Sequence, residues 1–333
     1  MAEYDLVIIG GGPVGLFGAT LARLHGLSVK IIESLPELGG QLYALYPEKP
    51  IYDVAGFPSI LAKDLAQALI KQAERFQPDV ATGAPVETLE PLGGDPPRYR
   101  VSTKQGSDVA RAVLITVGVG AFVPRRLPAE GAENFEERGV YYFVPPLATF
   151  KNQRVVVVGG GDTAVDWTLA IAEHADEVAI VHRRHQFRAQ EESLRMLREK
   201  PNVRVFTPHE LVAVEGDDAI QQVVLKHVEN GEHTPYPVDS VVGGLGFLPT
   251  LGPVKNWGLE LEGNTIVVNP TTLGTNLPGV FAAGDVVTYP GKVKLIATGF
   301  GEIGTAIARI RHFIDPSKHG LPHSTNIKGI PTA

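Results

Sequence analysis

The chain has 333 residues, 44% of them hydrophobic and 20% charged, which is ordinary for a globular protein and enough for two domains. Its net charge of −7 argues against general nucleic-acid binding, which needs a basic face. It has no cysteine, and this excludes disulfides, thiolate metal sites and every redox-active CxxC pair.

The first strand begins by Tyr4, and the apolar runs are short and cut by glycine, so we expect no signal peptide, no membrane-spanning helix and a cytoplasmic protein. Asp5 to Ile9 is a β-branched run ending in Gly10, Gly12 and Gly15. Gly10 allows a tight turn, Gly12 lets the backbone approach a pyrophosphate, and Gly15 is small enough for a helix to pack on the strand. Val14, Leu16, Phe17, Leu21 and Leu24 form one stripe, which predicts a helix over 13–25 with Pro13 in its first turn and Gly26 as its stop. The helix N-terminus would offer free N–H groups and positive dipole to phosphates. A second strand over 28–32 ends at Glu33, an acceptor for the free hydroxyls of an adenosine ribose, so this unit suits FAD.

Next come Gly39, Gly40 and Gln41, a loop whose glycines allow backbone to approach a ligand. Tyr46 is either a ring that stacks on the flavin or a core tyrosine, and spacing does not decide between them. An amphipathic helix is expected over 64–76. Strands over 85–89, 99–103 and 109–115 suggest a small antiparallel meander, inserted before the main sheet resumes at 112–116. Gly118, Gly120 and Pro124 mark a crossing into a second domain.

The strand–glycine–helix pattern then recurs. Arg154 to Val158 is a β-branched run, and Gly159, Gly161 and Ala164 take the places of Gly10, Gly12 and Gly15, with Asp162 and Thr163 opening the helix. One such loop is a weak signal; two in register are strong. At the position of Glu33 stands His182, followed by Arg183, Arg184 and Arg188, the chemistry of a 2′-phosphate and hence of NADPH. Without the motif upstream, the same residues would read as a solvated basic turn. A helix is expected over 191–199, and strands over 203–206, 220–227 and 238–243 suggest a second meander. Gly244, Gly246 and Pro249 return the chain to the first domain.

Gly279 to Asp285 reads as a strand ending in Gly284 and a carboxylate. Asp285 either holds a ribityl hydroxyl of FAD or caps a turn. A helix over about 300–313 would aim its N-terminus at the flavin, and the Pro-, His- and Ser-containing tail over 315–333 reads as unfolded unless His323 covers a ring. His319 and His323 have i,i+4 spacing, but Gly320 and Pro322 argue against a helix there, so no metal site is expected.

These loops, with His182-Arg183-Arg184, Phe187-Arg188 and the Gly279 to Asp285 stretch, resemble two-dinucleotide-binding-domain flavoproteins of the thioredoxin-reductase-like group along nearly the whole chain. Thioredoxin reductases carry CxxC before the second glycine loop; Phe143-Val144-Pro145-Pro146 here has no sulfur, which excludes that activity. Tyr52 to Pro58 and His323-Ser324-Thr325 are instead similar to the ferredoxin–NADP+ reductases of this type.

The resemblance implies an α/β fold with two Rossmann-like, three-layer domains, each with a small β-meander. The NADPH domain (122–244) is inserted into an FAD domain (1–121 and 245–333, with 315–333 as a C-terminal extension). It implies that Tyr46 and His323 cover the two flavin faces, as positioning residues with no general acid or base. FAD contacts are expected from Gly10, Gly12, Pro13, Val14, Gly15, Glu33, Gln41, Gly284, Asp285 and Ser324. Those to NADPH are expected from Gly159, Gly161, Asp162, Thr163, Ala164, His182, Arg183, Arg184 and Arg188. It implies a homodimer that takes hydride from NADPH to FAD and passes single electrons to ferredoxin or flavodoxin. An acidic carrier would need local positive charge, for which Lys49, Lys292, Lys294 and Lys328 are candidates. Two other classes stay open: an NADPH oxidase, quinone or diaphorase-type reductase, and a non-catalytic sensor that binds FAD and NADPH.

Overall fold

The computed structural model describes residues 2–327, with backbone alone at 121–123 and 247–249. The chain divides into two compact units, Met1–Phe122 with Pro249–Ala333, and Val123–Leu248. The connecting segments, Ala121–Pro124 and Phe247–Thr250, pair as a two-stranded sheet.

In the first unit a seven-stranded sheet runs Asp79–Ala81, Val29–Ile32, Glu3–Ile9, Gly106–Ile115, Tyr99–Thr103, Val86–Pro91, and Val280–Ala282 also pairs with Gly106–Ile115. Glu3–Ile9 is parallel to a neighbour on each side, Leu6 lying opposite Val29 and Ala112. Leu6, Val7 and Ile8 are all fully buried, as a strand covered on both faces requires. The helices Pro13–Leu24, Ala62–Glu74 and Ile296–Ile314 contribute Leu16, Leu65 and Ile303 to the same core.

The strand expected over 109–115 and the sheet expected to resume at 112–116 are one strand. The first half of Gly106–Ile115 pairs antiparallel with Tyr99–Thr103, and its last three residues run parallel to Val280–Ala282. The meander therefore extends the parallel sheet, because nothing in 106–115 breaks the strand.

In the second unit five parallel strands run Val140–Tyr141, Ser240–Gly243, Arg154–Val158, Glu177–Val181, Val203–Phe206. Val155 and Val157 pack with Trp167 and Leu197 of the helices Asp162–Ala172 and Glu191–Glu199. Val156 and Val158 belong to a separate core with Leu211, Val223 and Leu225. Helices, parallel sheet and meander make three layers.

That meander is His209–Gly216, Ile220–His227, His233–Pro237, which corrects the expectation that 203–206 and 238–243 belong to it. Ser240–Gly243 is buried at every position between two parallel neighbours, and a continuous apolar run is what such a strand shows. His233–Pro237 was obscured by Pro235 and Pro237, which its place at the sheet edge tolerates. The last helix begins at Ile296 rather than near 300. Among the described residues no helix is long and apolar enough to cross a membrane, and no group of side chains is arranged to hold a metal.

Candidate cofactor sites at two glycine turns

In the first turn each glycine has its own physical reason. Gly10 has φ +109°, and a Cβ there would stand 2.6 Å from the Thr116 carbonyl oxygen. A Cβ on Gly15 would stand 2.0 Å from the Gly10 carbonyl oxygen, so strand and helix meet only through glycine. Thr116, which sequence reasoning missed, is buried and donates its hydroxyl to that same oxygen at 2.9 Å. Gly12 differs: its φ is −75°, and the nearest atom to a Cβ would be 3.9 Å away. Among the described residues nothing demands glycine at position 12.

Gly39 and Gly40 serve packing between loops before any ligand. The Gly39 amide donates to the Gly11 carbonyl at 2.9 Å, and a Cβ on Gly40 would lie 2.9 Å from Gly12 Cα. Between these loops and the neighbouring strand ends lies a cavity of about 280 Å³, lined by Gly10, Gly12, Pro13, Val14, Glu33, Gln41, Tyr46, Gly284 and Asp285. The structure thus gathers these expected residues on one wall system, with Gly15 buried behind them. Leu251, Val254 and Trp257 also line it; arriving from more than 230 residues beyond the first turn, they carry no local motif.

Glu33 is 5% exposed and lines this cavity. Its Oε2 accepts the Gly11 amide at 2.6 Å, and its Oε1 accepts the Leu35 amide at 2.8 Å and the Ser34 hydroxyl at 3.0 Å. A carboxylate has about four acceptor positions, so Oε2 keeps one for a hydroxyl donor. The first turn of the helix leaves amides without intrahelical acceptors, and Gly12, Pro13 and Val14 stand at the cavity. Anion-binding amides beside a ribose acceptor fit a dinucleotide. Deeper in the chain order, Asp285 is half-buried; burial pushes its carboxyl up, Lys292 and Lys294 oppose this, and Glu302 adds to it. Burial, with Asp285 beside it, also pushes up the Tyr46 phenol.

Two expectations change. Lys292 is no surface contact: its side chain is 5% exposed and pairs with Glu302, leaving Lys294 exposed. Lys328 lies outside the described residues. His323 and Ser324 are exposed at the short turn Ser324–Asn326 and do not line the cavity of their own chain.

At the second turn Gly159 has φ +154°, and a Cβ there would stand 2.2 Å from the Gly244 carbonyl oxygen and 2.7 Å from Ala164 Cβ. A Cβ on Gly161 would meet nothing within 4 Å, much as at Gly12, where the nearest atom is 3.9 Å away. His182 lies against Gly160, where a Cβ would fall 2.2 Å from the ring, and stacks on Phe187 with centroids 5.2 Å apart. Burial and the nearby arginines hold its pKa below the ordinary value despite the contact with the Gln186 carbonyl. The Arg188 amide donates to the Gly160 carbonyl, which brings Arg188 back to the glycine turn, and Arg183 and Arg184 lie near enough to His182 to act on its charge. Among the described residues, none of these three guanidinium groups has a carboxylate partner. Asp162 is already engaged: its Oδ1 accepts the Gln190 amide at 3.0 Å.

Residues 4–307 match the family described as pyridine nucleotide-disulphide oxidoreductase. The ferredoxin–NADP reductase 2 of Shouchella clausii (strain KSM-K16) is 48% identical over 326 residues, covering 97% of this chain and 98% of its own. The ferredoxin–NADP reductase of Geobacillus kaustophilus (strain HTA426) is 49% identical over 326 residues, 97% of each. The chain belongs to the ferredoxin–NADP reductases of this family. It is an oxidoreductase with the thioredoxin-reductase-like fold: the crystal structure of Lactococcus lactis thioredoxin reductase matches it with a TM-score of 0.74 at 28% identity, over 93% of this chain and 99% of that one. Unlike a disulphide reductase, this ferredoxin–NADP reductase family member has no thiol of its own to oxidise.

Proposed function

We propose that the first unit holds FAD, that the second holds NADPH, and that the chain carries electrons from NADPH through FAD to ferredoxin, or to flavodoxin. The observation that supports this most is the contrast between two otherwise matching turns. At the end of the second strand the first turn meets the buried carboxylate of Glu33, and the second meets the His182 ring, with Arg183 and Arg184 next in the chain and the Arg188 amide bonded back to Gly160. A carboxylate accepts from a free ribose diol and repels a 2′-phosphate; guanidinium groups do the reverse.

Bound FAD would supply the chemistry that turns a hydride into single electrons. The protein's own part is binding and orientation. The amides after Gly12 receive pyrophosphate, Glu33 accepts from the ribose and Asp285 from a ribityl hydroxyl, while Tyr46 packs against a ring and keeps water from it. No side chain is assigned a proton transfer. His323 and Ser324, exposed in one chain, would serve the flavin of a second copy in a homodimer. Heat should release FAD from the yellow purified protein; FMN in the supernatant, or a colourless protein that takes up no FAD, would refute the assignment of the first unit.

A further inference from the structure

Behind the Gly284–Asp285 turn lies a buried ion pair that the proposed binding contacts do not use. Glu302, on the helix Ile296–Ile314, and Lys292 are each 5% exposed and bonded to one another. Glu302 Oε2 accepts the Gly284 amide at 2.7 Å, and its Oε1 also accepts the Tyr289 hydroxyl at 2.6 Å. Lys292 Nζ lies 5.6 Å from the Tyr289 ring centroid. Gly284 has φ +86° and is wedged between helices, a Cβ there falling 3.3 Å from Val14 Cγ2. Burying two charges costs several kcal/mol per ion, and an apolar pair of similar volume is often as stable. Stability alone is therefore a poor reason for this pair, whereas its bond to a cavity-wall amide is a specific one.

We propose that Glu302 and Lys292 are positioning residues for the flavin: Glu302 pins the turn that presents Asp285 to the cavity, and the two opposite charges together set the ionisation of the Asp285 carboxylate. This rests on the FAD reading of the first unit. The groups that face Asp285 are Lys292 and Lys294 from the loop after it, Glu302 from the last helix, and the Tyr46 phenol across the cavity. The two lysines favour the carboxylate, while burial and Glu302 disfavour it. A ribityl hydroxyl donates best to the ionised form. FAD affinity should then weaken as pH falls through the raised pKa of Asp285.

The test follows FAD release from the full-length protein on serial dilution, by the fluorescence of free FAD, at pH 5 to 9. Lys292→Met should move the midpoint of the pH profile up and weaken binding on the acid side of it, by up to about tenfold for a shift of one pKa unit. Glu302→Gln keeps an acceptor for the Gly284 amide and removes a negative charge, so its midpoint should move down. A purely structural role predicts lower melting temperatures for both and no opposite shifts. Where the single variants fail to fold, Lys292→Met with Glu302→Gln leaves no unpaired buried ion; its midpoint should lie between those of wild type and Lys292→Met, since Lys292 acts on Asp285 more strongly than Glu302 does. Unchanged midpoints would overturn the proposal while leaving the flavin reading intact. A wild-type protein that neither carries nor takes up FAD would overturn the flavin reading itself.

Discussion

The Arg188 amide donates to the Gly160 carbonyl oxygen at 2.6 Å, so the basic loop after the strand Glu177–Val181 folds back onto the second glycine turn. A solvated basic surface turn has no reason to close there. Arg183→Ala with Arg184→Ala should remove most of the preference for NADPH over NADH and leave use of NADH little changed. Hydrogen bonds to charged groups are worth about 1.5–3 kcal/mol each, so the loss of even one such contact should cost on the order of tens to hundreds of fold in NADPH affinity. Isothermal titration with both nucleotides measures this directly. A double variant with its preference intact would show that the arginines only solvate the surface.

The glycines separate packing from ligand approach. Gly12→Ala and Gly161→Ala place a methyl where the protein has room, at φ −75° and −100°, so melting temperature should hold within about 2 °C, the scale of a surface change. The methyl at 12 should nevertheless weaken FAD binding at least about tenfold, and that at 161 NADPH binding, because it stands where a phosphate must approach the backbone. Gly10→Ala should instead destabilise the fold, having φ +109° and a carbonyl 2.6 Å from the new atom. Full cofactor affinity in Gly12→Ala would exclude position 12 from the phosphate site.

Both glycine turns, with the helices and strands around them, were legible because local geometry dictates them: a turn at φ +109° or a helix packed within van der Waals contact of a strand leaves only glycine or alanine. The basic cluster was legible because it stands in register with Glu33. What escaped was decided by distant partners. Nothing near Thr116 in the sequence says that it holds Gly10, and Lys292 looks like any surface lysine until Glu302 is folded against it. Glu302 did leave a trace, a lone carboxylate on the apolar side of a helix between Gly299 and Ile303. The meander was misassigned because a strand buried on both faces and a hairpin strand share a β-branched composition, and only pairing distinguishes Ser240–Gly243 from His209–Gly216.

At the opposite end of the first strand, Asp5 accepts the Ser28 amide at 3.0 Å, the Ser28 hydroxyl at 2.9 Å and Arg111 Nη1 at 2.9 Å. Arg111 in turn donates to the Ile314 carbonyl, so one carboxylate ties two parallel strands to the last helix. Burial works to raise its pKa, but Ser28 and Arg111 outweigh burial and hold it below 3.8. A depressed folded-state pKa contributes stability above the unfolded value that is lost as pH falls through the folded one. Asp5→Asn should therefore cost about 1–2 kcal/mol at pH 7, and its deficit against wild type should shrink below about pH 4. Melting temperatures from pH 3 to 8 check this; a deficit as large at pH 3 as at pH 7 would remove the charge from the explanation.

The most direct test of the electron path is anaerobic. Protein purified with its flavin is mixed with NADPH, then with oxidised ferredoxin, while visible absorbance is recorded. NADPH should bleach the flavin absorbance, NADH at the same concentration should do so far more slowly, and ferredoxin should restore it while becoming reduced in proportion. NADPH that binds without bleaching, or a bleached protein that stays bleached with ferredoxin and recovers only when oxygen is admitted, would contradict the account.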